Sequence, residues 1–298
     1  MRDLAALETD WTRRLDRGEA PDAAALRAHL LAVHARPTGF TESCARRCLD
    51  GEGRSSYALL ADLVAPGERV LDLGCGSGPL LELIHTRHGT DVTLAGLDMS
   101  ADELALARAR LGDDTVALHQ GLAQELPFAD ATFDTVLCHW ALTLMDPVAP
   151  VLTEVARVLR PGGRFAAVVD GPMASAPGYE EIHDIVYTRV AAAHPRYGSV
   201  DLGDPRVRSA EALSALALEC MGTGAHATTT AAVLTLEGPP DVLACEAAGF
   251  FYAFLVLSAE ARAETLAALE AFFATPGPAQ GRYAMPVTLL SVQKSGAA

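Results

Sequence analysis

The sequence predicts an α/β protein organised around a doubly wound parallel sheet. The first observation is the stretch VLDLGCGSGPLL at residues 70–81. Its apolar run predicts a buried strand, its three alternate glycines predict a sharp turn, and the leucines after them predict a helix. The second observation is that strand and helix patterns alternate over residues 69–170. This alternation is typical of a parallel sheet with helices on both faces and a ligand crevice at the carboxyl ends of its strands.

Residues 1–60 are predicted to be helical, because their apolar positions recur at helical spacing. Pro37-Thr38-Gly39 interrupts the pattern, and Thr41 is predicted to cap a further helix that ends near Leu49. We expect residues 1–55 to form a lid over the crevice. A helix packed on the outside of the sheet is the alternative.

The alternating part of the chain defines the core, which we place at residues 56–170. Ser100 and Glu103 have the spacing of a capping box at the start of one of its helices. Pro161-Gly162-Gly163 predicts a tight turn before the fifth strand. The predicted elements are helix 57–64, strand 69–74, helix 79–88, strand 92–98, helix 101–111, strand 115–119, strand 133–139, helix 147–159 and strand 163–170.

The remainder of the chain is predicted to hold two helical insertions. Residues 171–204 form the first, which we expect to lie over the active site. Residues 205–298 complete the sheet and contain the second insertion at about 241–274. The predicted elements of these parts are helix 179–193, helix 209–220, strand 226–237 and strand 283–292.

Composition limits the function classes. The chain carries a formal net charge of −15 with a pI of about 4.9, which disfavours a nucleic-acid partner. No apolar run is long enough to span a membrane, no signal-peptide core is recognisable, and the six cysteines form no Cys-x-x-Cys motif. We therefore expect a cytoplasmic protein without a membrane partner. The acidity either serves solubility alone or favours a cationic or zwitterionic substrate.

The spacing of the glycine turn separates classes of nucleotide site. A dinucleotide fingerprint needs its third glycine five positions after the first, and Pro79 stands there. No Gly-Lys-Ser/Thr follows, so a phosphate loop is also disfavoured. Asp98 ends the second strand, where an acidic residue suits the two hydroxyls of a ribose.

These features resemble the class I S-adenosylmethionine-dependent methyltransferases. The resemblance implies a Rossmann-like, seven-stranded sheet with a helical N-terminal lid and helical insertions, and S-adenosylmethionine as the cofactor. It covers roughly residues 55–170. The motifs that carry it are LDLGCGSG at 71–78, GLDMS at 96–100, LPF at 126–128, FDTV at 133–136 and VLRPGG at 158–163.

The resemblance also implies roles for the residues around the turn. Asp98 would bind the ribose diol, and Gly74, Gly76 and Gly78 would let the backbone pass under the methionine part of the cofactor. Asp72 would orient the turn and the ammonium group.

The adenine is expected to lie against Met99 and to contact Ala123 and Gln124. The family has an acid one residue before Ala123, where this chain has Leu122; Gln124 is a possible substitute acceptor. The candidates for binding the methionine carboxylate are Arg54 and Tyr57.

His139 follows the fourth strand and is the leading candidate for a general base, although it is also a candidate for cofactor contact through its backbone alone. Glu42, His183 and Asp170 are weaker candidates for the base. No local ligand spacing predicts a metal site. The residues expected to contact the substrate are Trp140, Asp170, Tyr187, Phe251 and Tyr252, and core packing is the alternative for each aromatic.

The leading hypothesis is methyl transfer to N, O or C of a small molecule, such as a cationic or zwitterionic specialised metabolite, by a monomer or homodimer. One alternative is a protein or RNA methyltransferase, which the absence of an Asn/Asp-Pro-Pro-Tyr/Phe motif disfavours. Another is a relative that binds the cofactor without transferring methyl. Pro79 disfavours a nicotinamide-dependent dehydrogenase.

Overall fold

The computed structural model describes residues 5–36, 41–112, 116–199 and 202–296. The helix break predicted at Pro37-Thr38-Gly39 lies outside the described residues. The chain divides into two compact units. We call these units the sheet unit (Arg54–Pro172, Leu202–Ala232 and Val287–Ala298) and the helical unit (Met1–Gly53, Met173–Asp201 and Val233–Pro286).

The sheet has seven strands, as predicted. They are β1 (Arg69–Leu73), β2 (Thr93–Asp98), β3 (Ala117–Gln120), β4 (Phe133–His139), β5 (Leu159–Asp170), β6 (His226–Glu237) and β7 (Arg282–Gln293). Their order across the sheet is β3-β2-β1-β4-β5-β7-β6. Strands β1 to β5 pair in parallel, and β7 pairs antiparallel with β5. The carboxyl ends of β1, β2, β4 and β5 therefore meet at one edge of the sheet, where a ligand crevice is expected.

The α-helices of the described residues are α1 (Asp10–Arg17), α2 (Ala23–His34), α3 (Glu42–Arg47), α4 (Ser56–Ala61), α5 (Pro79–His88), α6 (Ala101–Leu111), α7 (Val148–Val158), α8 (Tyr179–Ala193), α9 (Ala210–Met221), α10 (Pro240–Phe250) and α11 (Ala259–Ala274). Helices α5, α6 and α8 begin and end at the predicted residues. None of the helices in the described residues is long and apolar enough to cross a membrane.

The core of the sheet unit follows from its sequence pattern. Strand β4 is buried along nearly its whole length, as a central parallel strand requires. Helix α7 buries a single stripe with helical spacing, which packs in the same apolar cluster as Leu71 and Phe165. Each fully buried side chain of this size stabilises the fold by about 1.5–3 kcal/mol. The stripe consists of Val148, Val151, Leu152, Val155 and Val158.

Helix α3 departs from the prediction. Thr41 has a helical backbone and makes no side-chain cap hydrogen bond, and the helix stops at Arg47. The chain leaves the helix because Leu49 forms an antiparallel bridge with Thr235, through N–H···O contacts of 2.8 and 2.7 Å. Thr41 thus stands at the predicted N-cap position without a side-chain cap hydrogen bond, and the helix ends at Arg47 rather than near Leu49.

The turn at Pro161-Gly162-Gly163 lies within β5 rather than before it. The ladder with β4 passes from the pair Phe133–Leu159 to the pair Thr135–Arg164, so the intervening residues bulge out. A Cβ on Gly163 would lie 2.9 Å from two backbone carbonyl oxygens, which explains the glycine there.

Candidate functional site

The glycine turn lies between the carboxyl ends of β1 and β2. The N–H groups of Gly74 and Cys75 both donate to the carbonyl of Leu97, over 2.8 and 3.1 Å. Gly74, Gly76 and Gly78 have φ angles of 74°, 50° and 80°, in the left-handed region that favours glycine. The chain thereby reverses sharply between β1 and α5.

The three glycines serve different purposes. A Cβ on Gly74 would lie 2.3 Å from Cβ of Ala141, and one on Gly78 would lie 3.2 Å from Cβ of Ala107. Both glycines thus permit close packing within the protein. A Cβ on Gly76 would approach no atom more closely than 3.9 Å, so this glycine faces open space. Of the three, Gly76 is the one whose missing side chain leaves room for a ligand.

Asp98 joins this turn to the following helix. Its Oδ2 accepts a hydrogen bond from the N–H of Gly76 at 2.9 Å, and its Oδ1 accepts one from the N–H of Ser100 at 2.8 Å. Both oxygens of the Asp98 carboxylate are thus held in place by backbone N–H groups at the end of β2.

Asp72 is a buried carboxylate without a local counter-charge. It is 1% exposed, and its Oδ1 has no hydrogen-bond partner. Burial and the negative charge of Asp98 raise the pKa of Asp72 to about 8. An unsatisfied buried oxygen is costly unless a ligand satisfies it. A cationic donor is the group that Asp72 suits best, and the ammonium of S-adenosylmethionine is such a donor.

The residues predicted to contact the adenine follow β2 and β3. Gly121 donates its N–H to the carbonyl of Asp98 at 3.0 Å, which ties the segment after β3 to the end of β2. Ala123 in this segment is buried and Gln124 is half-buried, as is Met99. Leu122, which stands where the family has an acid, is 40% exposed.

Arg54 and Tyr57 have different surroundings. Arg54 lies 3.7 Å from a carboxylate oxygen of Asp62. Tyr57 is buried, and its ring stacks on His139 with centroids 3.9 Å apart. The structure thus brings Tyr57 to the predicted base.

His139 ends β4, and its Nε2 lies 2.9 Å from Oγ of Ser56. Ser56 was not predicted as a site residue, because it belongs to the helix before β1 and lies 83 positions from His139 in the chain. Burial lowers the pKa of His139 to about 3, so the imidazole is neutral at physiological pH. A nitrogen with so low a pKa is a weak proton acceptor.

Trp140 and Asp170 follow the ends of β4 and β5. Trp140 has a φ of 54°, which is rare for a bulky residue. Its backbone N–H donates a hydrogen bond to the carbonyl of Val168 at 2.9 Å. Burial raises the pKa of Asp170, while the charge of Arg208 and a hydrogen bond from Trp140 act in the opposite direction. Sequence reasoning did not predict a role for Arg208, because it lies 38 positions beyond Asp170 in the chain.

The other predicted residues belong to the helical unit. His183 and Tyr187 stack with centroids 4.2 Å apart, and Phe251 lies edge-on to both rings. The Tyr252 hydroxyl lies 3.0 Å from Nε2 of His34. Glu42 forms an ion pair of 2.7 Å with Arg46 along α3. The roles assigned to these residues stay predictions.

Among the described residues, no group of three or more His, Cys, Asp or Glu side chains is arranged to hold a metal ion.

Comparison with known proteins shows that part of this chain is similar to methyltransferases. Residues 71–167 match the methyltransferase domain family. A demethylmenaquinone methyltransferase of Symbiobacterium thermophilum is 38% identical over 104 residues, which are 34% of this chain and 41% of that protein. A fatty-acid O-methyltransferase of Mycolicibacterium smegmatis is 40% identical over 125 residues, 42% of this chain and 44% of that protein. The chain thus spans less than half the length of either relative.

Among solved structures, the fold resembles a phosphoethanolamine N-methyltransferase 2 of Haemonchus contortus in complex with phosphomonomethylethanolamine and S-adenosylhomocysteine. The TM-score is 0.55 at 17% identity, over 91% of this chain and 60% of that one. At this identity the likeness concerns the fold alone.

The raised pKa of Asp72 predicts a pH-dependent stability. The folded protein keeps this proton up to about pH 8, whereas the unfolded chain loses it near 3.8. The free protein should therefore lose stability as the pH rises from about 4 to about 8. Asp72→Asn should remove that loss and also weaken S-adenosylmethionine binding by about tenfold or more. Urea unfolding across this pH range and calorimetry measure the two effects, with the exposed Asp102→Asn as control. A variant with the wild-type pH profile would contradict the assignment.

Gly76→Ala tests the open space at the turn. Gly67 is a matched control, because its φ is 86° and a Cβ there would have nothing within 4 Å. Both alanine variants should lose a similar stability, about 1–2 kcal/mol, from the left-handed backbone. Only Gly76→Ala should weaken S-adenosylmethionine binding, as measured by calorimetry. Equal affinity in the two variants would mean that the ligand does not pass over Gly76.

Proposed function

We propose that this protein transfers a methyl group from S-adenosylmethionine to a small molecule, because residues 71–167 match the methyltransferase domain family and relatives of this segment are methyltransferases. The observation that carries the proposal is the carboxylate pair at the glycine turn. Asp72 has a buried oxygen without a hydrogen-bond partner, and the Asp98 carboxylate binds the N–H of Gly76, which faces open space. This set suits a ligand that presents both an ammonium group and a ribose diol.

The cofactor, when bound, supplies a methyl group activated by a positively charged sulfur. The residues of the chain hold it in place: Asp72 would bind the ammonium, and Asp98 would accept hydrogen bonds from the ribose. His139 and Tyr57 would line the methionine end and exclude water. Holding donor and acceptor in line can supply several kcal/mol of the barrier, up to roughly 10.

An oxygen acceptor or a protonated amine also has to lose a proton. We propose Asp170 for this step in preference to His139. Both groups lie at carboxyl ends of neighbouring strands, but burial has opposite effects on them. It raises the pKa of Asp170 above its ordinary value, whereas it lowers the pKa of His139 to about 3. A base works best when its pKa lies near the operating pH.

Two classes of acceptor are proposed. A cationic or zwitterionic acceptor is favoured by the acidic composition and by the aromatic group of His183, Tyr187 and Phe251, since aromatic faces attract cations. An uncharged or carboxylic acceptor is the second class. It is supported by two proteins of similar sequence, which are a demethylmenaquinone methyltransferase and a fatty-acid O-methyltransferase.

Radiolabelled methyl transfer to a panel of amines, phenols, quinols and carboxylic acids distinguishes these classes and tests the activity. If S-adenosylmethionine binds but its methyl group reaches no member of the panel and no added protein or RNA, a cofactor-binding protein without methyl transfer is favoured. Transfer to the macromolecules alone would contradict a small-molecule substrate.

Variants at Asp170 and His139 test the choice of base. Asp170→Asn should lower kcat by about 10²–10⁴-fold and leave the cofactor Kd unchanged. His139→Gln should lower kcat much less, because the imidazole is a weak base. The pH profile of kcat should lose its acidic limb in Asp170→Asn only. If His139→Gln shows the larger loss with an unchanged cofactor Kd, His139 is the base.

We also propose that residues 1–55 act as a lid. Their amphipathic helices and the turn at residues 50–53, which could serve as a hinge, support this role. Hydrogen exchange over residues 20–55 should slow when S-adenosylhomocysteine and an acceptor are added together. Unchanged exchange would favour static helices.

A further inference from the structure

The sheet ends in an open strand edge. β6 is the terminal strand, with β7 on one side. Thr228, Thr229, Thr230 and Ala231 are all exposed, although they are consecutive residues of a strand. Side chains alternate between the two faces of a sheet, so neither face is covered here. No described part of the chain pairs with the outer edge of this stretch, and its side chains are exposed on both faces.

The Leu49 bridge shows which backbone groups point outward. Thr235 gives both its N–H and its carbonyl to Leu49, so these groups face away from β7. Backbone groups alternate in direction along a strand. The N–H and carbonyl groups of Ala227, Thr229 and Ala231 consequently point away from β7 as well.

This edge lacks the features that normally prevent strands from pairing. Residues 221–236 contain no Asp, Glu, Lys, Arg or Pro, in a chain with a net charge of −15. Proteins usually protect open edges with charges, prolines or bulges. The absence of acidic side chains also means that two copies of this acidic protein can meet here without like-charge contact.

The sequence of the edge is symmetric about Thr229. Residues 227–231 read Ala-Thr-Thr-Thr-Ala in either direction. We propose that β6 pairs antiparallel with β6 of a second copy of this chain, on a two-fold axis at Thr229. The sheets of the two copies then become continuous.

The register fixes the facing residues. Thr229 faces its own copy, and Ala227 faces Ala231 of the partner subunit in each direction. These pairs exchange the outward N–H and carbonyl groups, two hydrogen bonds each and about six in all. Thr228 faces Thr230 of the partner subunit in a non-hydrogen-bonded pair, with Cα atoms roughly 4.5 Å apart. Threonines facing each other across strands are favourable.

One face of the edge remains accessible in such a pair. The side chains of His226, Thr228 and Thr230 line a groove of about 350 Å³ together with Arg164 of β5 and Leu289 of β7. No segment of the described chain fills this groove. The interface is short, so the dimer should be weak and dependent on concentration, at the low end of specific interfaces.

Directed disulfide formation tests the register. In a Cys245→Ser background, which removes the exposed native thiol, Thr228→Cys and Thr230→Cys are made separately. Mixing the two variants under mild oxidation should give disulfide-linked dimers several times faster than either variant alone. A Cα separation of about 4.5 Å lies within the range that a disulfide spans. Equal rates in the mixture and in the single variants would overturn the two-fold axis at Thr229.

Charge insertion tests the dimer independently of cross-linking. Thr229→Lys places two lysines opposite each other and should raise the dimer dissociation constant roughly tenfold or more. Thr223→Lys carries the same charge outside the paired residues and should have little effect. Sedimentation velocity over a range of concentrations measures both, and circular dichroism checks the fold. A wild-type protein that stays monomeric at every concentration, or variants with equal dissociation constants, would overturn the proposal.

Discussion

The two hydrogen bonds of the Asp98 carboxylate are the interaction on which the site depends. They connect the glycine turn after β1 with the first residue before α6, so the ends of two strands and the starts of two helices share one carboxylate. The same charge acts on Asp72 in the neighbouring strand, where burial already disfavours ionisation. Two acids close together in a low-dielectric site repel each other, and a cationic ligand relieves that repulsion. We propose that the constraint that shapes the turn thereby also favours a cationic ligand group.

Glycine is required at the turn for separate reasons. All three glycines adopt a left-handed backbone, yet Gly74 and Gly78 face neighbouring protein atoms, and Gly76 faces open space. The first two allow β1, the segment after β4 and α6 to pack closely. Close packing at Gly74 and Gly78 thus positions the turn, and Gly76 faces open space between them.

Desolvation also determines the chemistry at the ends of β4 and β5. Burial disfavours the charged form of any group, so it lowers the pKa of a histidine and raises that of a carboxylic acid. Burial therefore shifts the pKa values of His139 and Asp170 in opposite directions, which is why we propose Asp170 as the base in preference to His139. Trp140 lies between them in an unusual backbone conformation. Such conformations cluster at functional sites, because the surrounding structure stabilises the strained residue.

Local patterns in the sequence determined most of the elements and indicated the candidate cofactor site. Apolar periodicity placed the strands of the sheet to within about two residues, except that β5 begins four residues before its predicted start, and the glycine turn with Asp72 and Asp98 indicated the nucleotide class. Periodicity reports only which side of an element is buried, so it could not show that residues 1–53, 173–201 and 233–286 form one compact unit. Nor could it show that Leu49 would leave its helix to pair with Thr235, or that Ser56 would contact His139. Those contacts join residues far apart in the chain. Only the tertiary structure sets the burial that shifts the pKa values of Asp72, His139 and Asp170, because burial depends on every element packed around the group.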